Sequence, residues 1–492
     1  MAFVLGLDCG TSVVKAAAFD ADGREAGVGQ ATIEGVSPQP GWMEYRPEEL
    51  WRAAAAAVRA LDVPAAEIAA VGPTGAGNGV LLLDADGAPV RNGIFALDNR
   101  TAGMMAADEA AGLLDRMREV NGYSTWTGLT LYLLKWLRQH EPAALERAAR
   151  IFVIKDYVKY RLTGRHVGDA SEQSKLGLLD VRQGRCTREL LALYRLESLL
   201  DRFPPLEPSA AVIGAVTPAA AEATGLREGT PVVNGLADID ASALGAGTTR
   251  PGQLSIVAGT WSINQLFLDR PVIDARLFGL SRYAIDGVWE QLEASASSTA
   301  NLSWFMKHIC PELDYAQVDA LVASVPPATT EVFFHPYLYG SNAKANARAG
   351  FYGLAGWQSR ADLLAALFEG VVFSHNHHVE KLRGLGQAVS EGRLSGGAAH
   401  SARWSQMFAD VLGLPVAVPD AQESGALGAA MCAAVGVGWH ADLAAAAARM
   451  VRTARTHRPD PVLHARYAAR YARYEHVTEL MAPVWDELGK EI

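Results

Sequence analysis

The residues best suited to chemistry lie within the first twenty positions, where Leu5 to Asp20 reads LGLDCGTSVVKAAAFD. One carboxylate, Asp8, and two small hydroxyl residues, Thr11 and Ser12, fall in a tight turn between two apolar runs. Phe3 to Leu7 suits a buried strand, and Val13 to Phe19 opens with β-branched residues and suits a second. Gly10 lets the backbone turn closely, so that its amides and the hydroxyls of Thr11 and Ser12 can face an anion. Asp8 would repel a bare phosphate, but it would hold a magnesium ion, often through water, beside a nucleotide's phosphates. Lys15 adds a cation.

The pattern recurs downstream. Leu254 to Asp269, LSIVAGTWSINQLFLD, aligns with it without a gap, so that Gly259 and Thr260 fall where Gly10 and Thr11 fall, and Asp269 where Asp20 falls. Val257 replaces Asp8 and Asn264 replaces Lys15. Two halves of one duplicated design are implied, of which the first kept the metal-handling acid.

Elements able to position these turns follow in order. Asp22-Gly23 turns the chain into a third strand near Ala26 to Ile33, giving a β-meander. The loop Ser37 to Trp42 has two prolines and a glycine in six residues and breaks regular structure. A helix is expected over Glu48 to Leu61 and a strand over Ile68 to Gly72. GPTGAGNG, Gly72 to Gly79, then allows a backbone to approach a ligand closely or is a purely structural turn. Asp98 and Arg100 could read hydroxyls or pair with each other. Ala102 to about Tyr194 reads as mainly helical, with one helix closing at Gly164. TPVVNGLADIDASALGAG, from Thr230, is a buried strand, a glycine, then Asp238 at a helix start; that acid is a catalytic candidate or an N-cap.

In the second half PYLYG (Pro336 to Gly340) and RAGFYG (Arg348 to Gly353) read as irregular aromatic loops. A long helix over Ala361 to Leu382 carries His375 and His378, three apart on one face and in principle able to share a metal; with no further ligand cluster, a solvated or capping role is expected. Around Gly396-Gly397 a strand turns into a helix whose Trp404, Met407, Phe408, Val411 and Leu412 form a core stripe. The glycine pair removes side chains where a flat ring such as adenine could slide in. From Ala441 the tail reads as helical and packed back on the body.

At 492 residues the chain is too long for one core, and half of it is hydrophobic. A formal charge of -10, without a Lys/Arg block, argues against a nucleic-acid or anionic-membrane surface and leaves a small molecule as partner. The four cysteines are dispersed without CxxC spacing, which suits a reducing compartment. Cys9 lies inside the first turn and is read as a small buried side chain. The N-terminus meets Asp8 before a signal core could form, and Ser424 to Ala441, uncharged but holding four glycines, reads as a buried helix followed by a loop. A cytoplasmic protein is expected.

Taken together, the ordered series LGLDCGTS, GxxDxxxxxxGxG around Asp238, AGT at Ala258, EGVVF at Glu369, SGGAAHS at Ser395 and GALGAA at Gly425 resembles the FGGY family of carbohydrate kinases, in the actin-like ATPase superfamily. The resemblance implies an α/β fold of two actin-like (ribonuclease H-like) ATPase domains facing across a deep cleft. Residues 1–247 would be the N-terminal domain and 248–492 the C-terminal domain, with a helical tail from about 441. It implies ATP and Mg2+ as cofactors, Asp8 as the acid that positions the metal and Asp238 as the base. Gly10, Thr11, Ser12 and Lys15 would form the first phosphate loop, Gly259 and Thr260 the second, and Gly396 and Gly397 the adenosine motif. Sugar contacts would fall on Ala76, Gly77, Asn78, Asp98 and Asp238, with Arg100 nearby. Family habit implies a homodimer, and closure of the domains would exclude water from phosphoryl transfer.

Within the family, D-xylulose kinases commonly carry Gln-Met-His where this chain has Ala76-Gly77-Asn78, and Trp at Ala96. DCG, REAGV, SPQPGW, LYGSNA, GFYG and EGVVFSH look like the branch acting on L-xylulose and 3-keto-L-gulonate. The expected acceptor is a ketopentose, L-xylulose first, with D-xylulose, 3-keto-L-gulonate, ribulose and erythritol as alternatives. A sugar-binding regulator on the same fold is the reading of another class.

Overall fold

The computed structural model describes residues 2–341, 344 and 346–490, so Asn342 and Ala343 of the LYGSNA stretch lie outside the described residues. In chain order the elements that matter for the site begin with strands β1 (Phe3–Cys9), β2 (Val13–Phe19) and β3 (Glu25–Thr32). Helix α1 (Pro47–Arg59), strand β4 (Ile68–Gly75), helices α2 (Ile154–Thr163) and α3 (Ala170–Lys175), and strands β5 (Val212–Ala215) and β6 (Pro231–Val233) follow. Next come α4 (Asp238–Gly245), β7 (Gln253–Ala258), β8 (Ser262–Leu268), β9 (Trp289–Ser295), α5 (Arg360–Arg383), β10 (Glu391–Ser395) and α6 (Ala402–Leu412). The chain closes with β11 (Val416–Pro419), α7 (Ser424–Gly436), β12 (Thr453–His457) and α8 (Pro461–Leu488).

Two compact units result: 1–249 with 269–290 and 421–452, and 250–268 with 291–420 and 453–492. By contacts, 269–290 and 421–452 cluster with the first unit. The reason for the second return is visible in the glycines of α7 and its neighbours. A Cβ on Gly6 of β1 would sit 1.8 Å from the carbonyl oxygen of Ala426, and one on Gly72 of β4 would sit 1.9 Å from that of Ala429. On the opposite side, a Cβ on Gly428 would meet the Ala241 oxygen at 2.0 Å and one on Gly245 the Ser424 oxygen at 1.9 Å. Helix α7 therefore lies backbone against backbone on the sheet and on α4, a closeness that only absent side chains permit.

In the first unit the sheet order is β3-β2-β1-β4-β6-β5. β1 pairs antiparallel with β2 and parallel with β4, which explains its nearly unbroken burial: a central strand covered on both faces carries apolar residues at successive positions. Leu5, Leu7, Leu50, Ala54, Val71 and Val158 share one core between the sheet, α1 and α2. The helical reading of 102–194 holds with one short strand inserted, and Gly164 caps α2 in the left-handed region at φ 73°.

The second unit repeats the plan. β7 pairs antiparallel with β8 and parallel with β10, as β1 does with β2 and β4, and its strands run β9-β8-β7-β10-β11-β12. The tail read as wholly helical contains β12, which pairs antiparallel with β11; TARTH has no apolar alternation to signal it. The aromatic stretches read as loops are tied down instead. Phe333–His335 pairs with Gly350–Tyr352, and the Tyr337 hydroxyl lies 3.3 Å from that of Tyr474 on α8, beside the buried Trp485.

His375 and His378 correct another expectation, because both are buried and neither is solvated nor a cap. Asn264, which stands where Lys15 stands in the first copy, accepts a hydrogen bond from Nδ1 of His375 at 3.0 Å and donates to Nδ1 of His378 at 2.9 Å. Ser298 and Ser295 meet the two Nε2 atoms. Burial pushes His375 down to about 3 and His378 down as well, so both rings are neutral and serve as fixed partners of one amide. Among the described residues no group of three or more His, Cys, Asp or Glu is placed to hold a metal ion.

Candidate active site

In the first unit the site forms at the carboxyl ends of β1, β4 and β6, where open α/β sheets leave a crevice. Asp8 is the penultimate residue of β1 and stands opposite Lys15 on β2 and Thr74 on β4. The turn after it closes through the Gly10 amide, which donates to the Val13 carbonyl at 3.1 Å, leaving Thr11 half-buried and Ser12 exposed. Lys15 reaches Glu423 just before α7, at 2.8 Å. Gly425 makes room for Asp8, since a Cβ there would lie 2.7 Å from its Oδ2.

Asp238 opens α4, directly after the turn that follows β6, and its Oδ1 accepts from the Ile239 amide at 2.7 Å. The N-cap alternative fails, because the cap is Ala237 and Asp238 is the first helical residue with no side-chain capping bond, while the position leaves the candidate-base reading open. Burial, reinforced by Asp238 and opposed by Lys15, pushes Asp8 up to about 7. Burial also raises Asp238, against the pull of the Ile239 amide and Lys175. Two acids thus share one poorly solvated space, each better held there with a cation or a proton. A magnesium ion would fit this donor chemistry, since Asp8 supplies a hard oxygen to an ion that keeps several waters and binds phosphate oxygens.

The glycine-rich turn brings Gly77 beside Asp238: a Cβ on Gly77 would sit 4.0 Å from Asp238 Oδ1 and 2.9 Å from Glu172 Oε1. Ala76 donates its amide to the Cys9 carbonyl at 2.9 Å, tying the turn to the first strand. Asn78 adopts φ 62°, a conformation for which Asn is among the more tolerant side chains, and its Oδ1 faces the Thr130 amide at 3.4 Å. Asp98 takes the pairing alternative. Its oxygens accept from the Arg100 side chain at 2.8 and 2.9 Å and from the Met43 amide at 2.7 Å, while Arg100 also meets Glu44 and lies over Trp42. Both side chains of the pair are fully buried.

The second unit holds Gly259, Thr260, Gly396 and Gly397. Gly396, at φ 83°, approaches so closely that a Cβ would lie 2.9 Å from the Gly259 nitrogen, and Thr299 donates its hydroxyl to the Gly259 carbonyl at 2.7 Å. The Gly259 turn and the glycine pair are therefore one assembly. Beside it opens a cavity of about 500 Å³ lined by Thr299, Leu302, Tyr315, Phe368, Gly397 and Trp404. The Phe368 and Trp404 rings stack at 3.9 Å, and the Trp404 Nε1 donates to the Phe368 carbonyl at 3.2 Å. A flat base with a few polar edges matches such a slot. A second cavity, of about 560 Å³ beside Pro208 and Tyr283, holds none of the residues singled out from the sequence.

Family comparison agrees with this geometry. A model of the N-terminal domain of the FGGY family of carbohydrate kinases matches residues 3–245, and one of its C-terminal domain matches residues 254–437. The chain belongs to the FGGY family of carbohydrate kinases. It is 37% identical to the L-xylulose/3-keto-L-gulonate kinase of Escherichia coli (strain K12), over 96% of each chain. It is 30% identical to the Autoinducer-2 kinase of Salmonella paratyphi B, over 96% of this chain and 94% of that one. Among solved structures, the xylulose kinase from Rhodospirillum rubrum superposes with a TM-score of 0.90 at 30% identity, covering 98% of this chain and all of that one. As an FGGY carbohydrate kinase the protein is an ATP-using phosphotransferase with the two-domain actin-like fold. No helix among the described residues is long and apolar enough to cross a membrane.

Several participants escaped the sequence. Glu423 gave no signal because it pairs with Lys15 across 408 positions. Lys175 bridges Asp240 at 2.8 Å and Glu290 at 3.0 Å inside the first unit, beneath α4. Glu172 follows Asp169 at a spacing that reads as an ordinary helix start.

Proposed function

We propose that this kinase transfers the γ-phosphate of ATP to a terminal hydroxyl of a ketopentose, with L-xylulose the favoured acceptor. The observation that carries the reading is the proximity of Asp8 and Asp238 at one end of the first sheet, with Gly77 of the glycine-rich turn beside Asp238. Small or uncharged Ala76, Gly77 and Asn78 line that turn, and Lys175 is engaged by Asp240 and Glu290, so a neutral polyol is favoured over a sugar acid. The 37% identity to an L-xylulose/3-keto-L-gulonate kinase points the same way.

Asp238 accepts the proton of the attacking hydroxyl, a task helped by a carboxyl raised toward working pH. Its place at the first position of α4 fixes the oxygen that receives the proton. The turn after β1, closed by the Gly10 amide on the Val13 carbonyl, presents Thr11 and Ser12 to phosphate oxygens, and Gly259 and Thr260 repeat this in the second unit. Gly396 and Gly397 with the Phe368–Trp404 stack hold the base. Asp8 would hold a magnesium ion, through water, which would supply charge neutralisation at the phosphates. Catalysis is then mostly positioning and charge stabilisation.

The test is ADP release with ATP and magnesium across L-xylulose, D-xylulose, L- and D-ribulose, 3-keto-L-gulonate, autoinducer-2, erythritol and glycerol, with Asp238→Ala as control. L-xylulose is expected to give the highest kcat/KM, and Asp238→Ala is expected to lose about 10³-fold or more in kcat while retaining its fold and nucleotide binding. Near-normal turnover in that variant removes the base assignment, and sugar-independent ADP release removes the acceptor.

A further inference from the structure

Helix α8 fixes itself to the second unit by one face and leaves the other open. Tyr467, Tyr474, Thr478 and Trp485 turn inward and are buried. On the outer side Val462 and Leu480 are each 62% exposed and lie about five turns apart, so they point the same way. Ala465, Ala469 and Ala472 are exposed between them, and Val484 and Leu488 carry the apolar line on to the helix end. Small residues along such a line let a second helix approach closely.

Charge along the helix is divided. Residues 461–473 carry Arg466, Arg470 and Arg473 and no acid, whereas residues 475–487 carry Glu475, Glu479, Asp486 and Glu487 and neither Lys nor Arg. The order brings the helix itself no benefit, since Asp486 and Glu487 stand in the last turn, where the helix dipole disfavours anions. Part of this charge is used inside the chain. Arg470 is held by Glu369, and Glu475 faces His377. Glu479 meets Lys344 and Glu487 meets Lys490, yet the two acids remain 65% and 72% exposed. Arg466 and Arg473 are exposed, and among the described residues neither guanidinium has an ion-pair or hydrogen-bond partner.

Such a face is complementary to itself in one orientation. Two copies of α8 laid antiparallel, crossing near His476, bring the basic half of each against the acidic half of the other. Arg466 then comes toward Glu487, and Arg473 toward Glu479 and Leu480. A parallel pair would set like charges against each other. We propose that this face of α8 is the surface through which two copies of the chain associate, as an antiparallel pair related by a two-fold axis. Leu480, Val484 and the alanines supply the affinity, and the exposed charges set the orientation. A strip about 42 Å long and about 10 Å wide is at the small end of specific interfaces, so association in the micromolar range is expected.

Sedimentation velocity of the full chain between about 1 and 100 μM tests this. The basic half is reversed by Arg466→Glu with Arg473→Glu, and the acidic half by Glu479→Arg with Glu487→Arg. Each doubly substituted chain should dimerise about 100-fold more weakly than the parent. An equimolar mixture of the two should recover association to within about 10-fold of the parent, because the reversed halves then meet as opposites. Leu480→Asp should weaken the dimer about 10-fold, and it carries the test if a reversed chain does not fold. A parent that stays monomeric at 100 μM (about the upper limit used), or a dimer indifferent to both reversals or to Leu480→Asp, overturns the proposal. Weakening without recovery in the mixture also overturns it, since the face is then not paired with its own copy. Turnover plays no part in the readout, so the outcome stands apart from the kinase reading.

Discussion

Replacing Glu172 by Gln removes a proton equilibrium from the core while keeping size and hydrogen-bonding capacity. Its carboxyl rises from 4.5 to about 8 on folding, mainly through burial. The folded protein therefore binds one more proton than the unfolded chain between these values, and stability falls as pH rises through that window. The full contribution is present below pH 4.5 and is gone above pH 8. A shift of this size corresponds to roughly 5 kcal/mol, of which about 3.5 kcal/mol is lost between pH 5 and pH 8. Glutamine has no such equilibrium. Urea midpoints followed by tryptophan fluorescence at pH 5, 6.5, 8 and 9 should show Glu172→Gln gaining on the parent steadily to pH 8 and by little more thereafter. Asp8 and Glu369, also raised to about 7, titrate in both proteins and largely cancel from the difference. Parallel pH profiles for the two proteins would refute the argument that Glu172 is held neutral.

Gly72→Ala places a methyl 1.9 Å from the Ala429 carbonyl oxygen and should lower stability by about 1–3 kcal/mol or more, measured as a fall in Tm, with α7 displaced from the sheet. Lys175→Met leaves Asp240 and Glu290 without their shared cation and should cost about 3–5 kcal/mol in urea unfolding.

What could be read from the chain alone follows from the range of each signal. The hairpins at Asp8 and Gly259 were legible because a turn between two apolar runs is written in adjacent residues, and the ordered motifs made the family recognisable. Asp98 was ambiguous for a physical reason: an acid two residues from an arginine reads the same whether it faces a ligand or its neighbour, and only Glu44 and the Met43 amide decide it. His375 and His378 misled because their partners, Asn264, Ser295 and Ser298, lie about 80 to 110 positions away. The strand at Thr453–His457 has Ala454 as its one apolar residue, since it forms at a sheet edge with mostly exposed side chains. Glu172 looked like half of a helix cap. Only the geometry shows that the other half is missing.

The return of α7 to the first strands also sets an order of events in the life of the chain. β1 and β4 lie within residues 3–75 and are synthesised long before the helix that covers Gly6 and Gly72, which is encoded by residues 424–436. Until then the nascent first unit must carry an open, glycine-lined sheet face, and Lys15 must wait for Glu423. Contacts of such sequence separation are slow to form and expose sticky surface meanwhile. Folding of the turn after β1 is thereby coupled to synthesis of residues 423–436, and an expressed fragment of residues 1–249 should aggregate, although it contains Asp8, Gly77, Glu172 and Asp238.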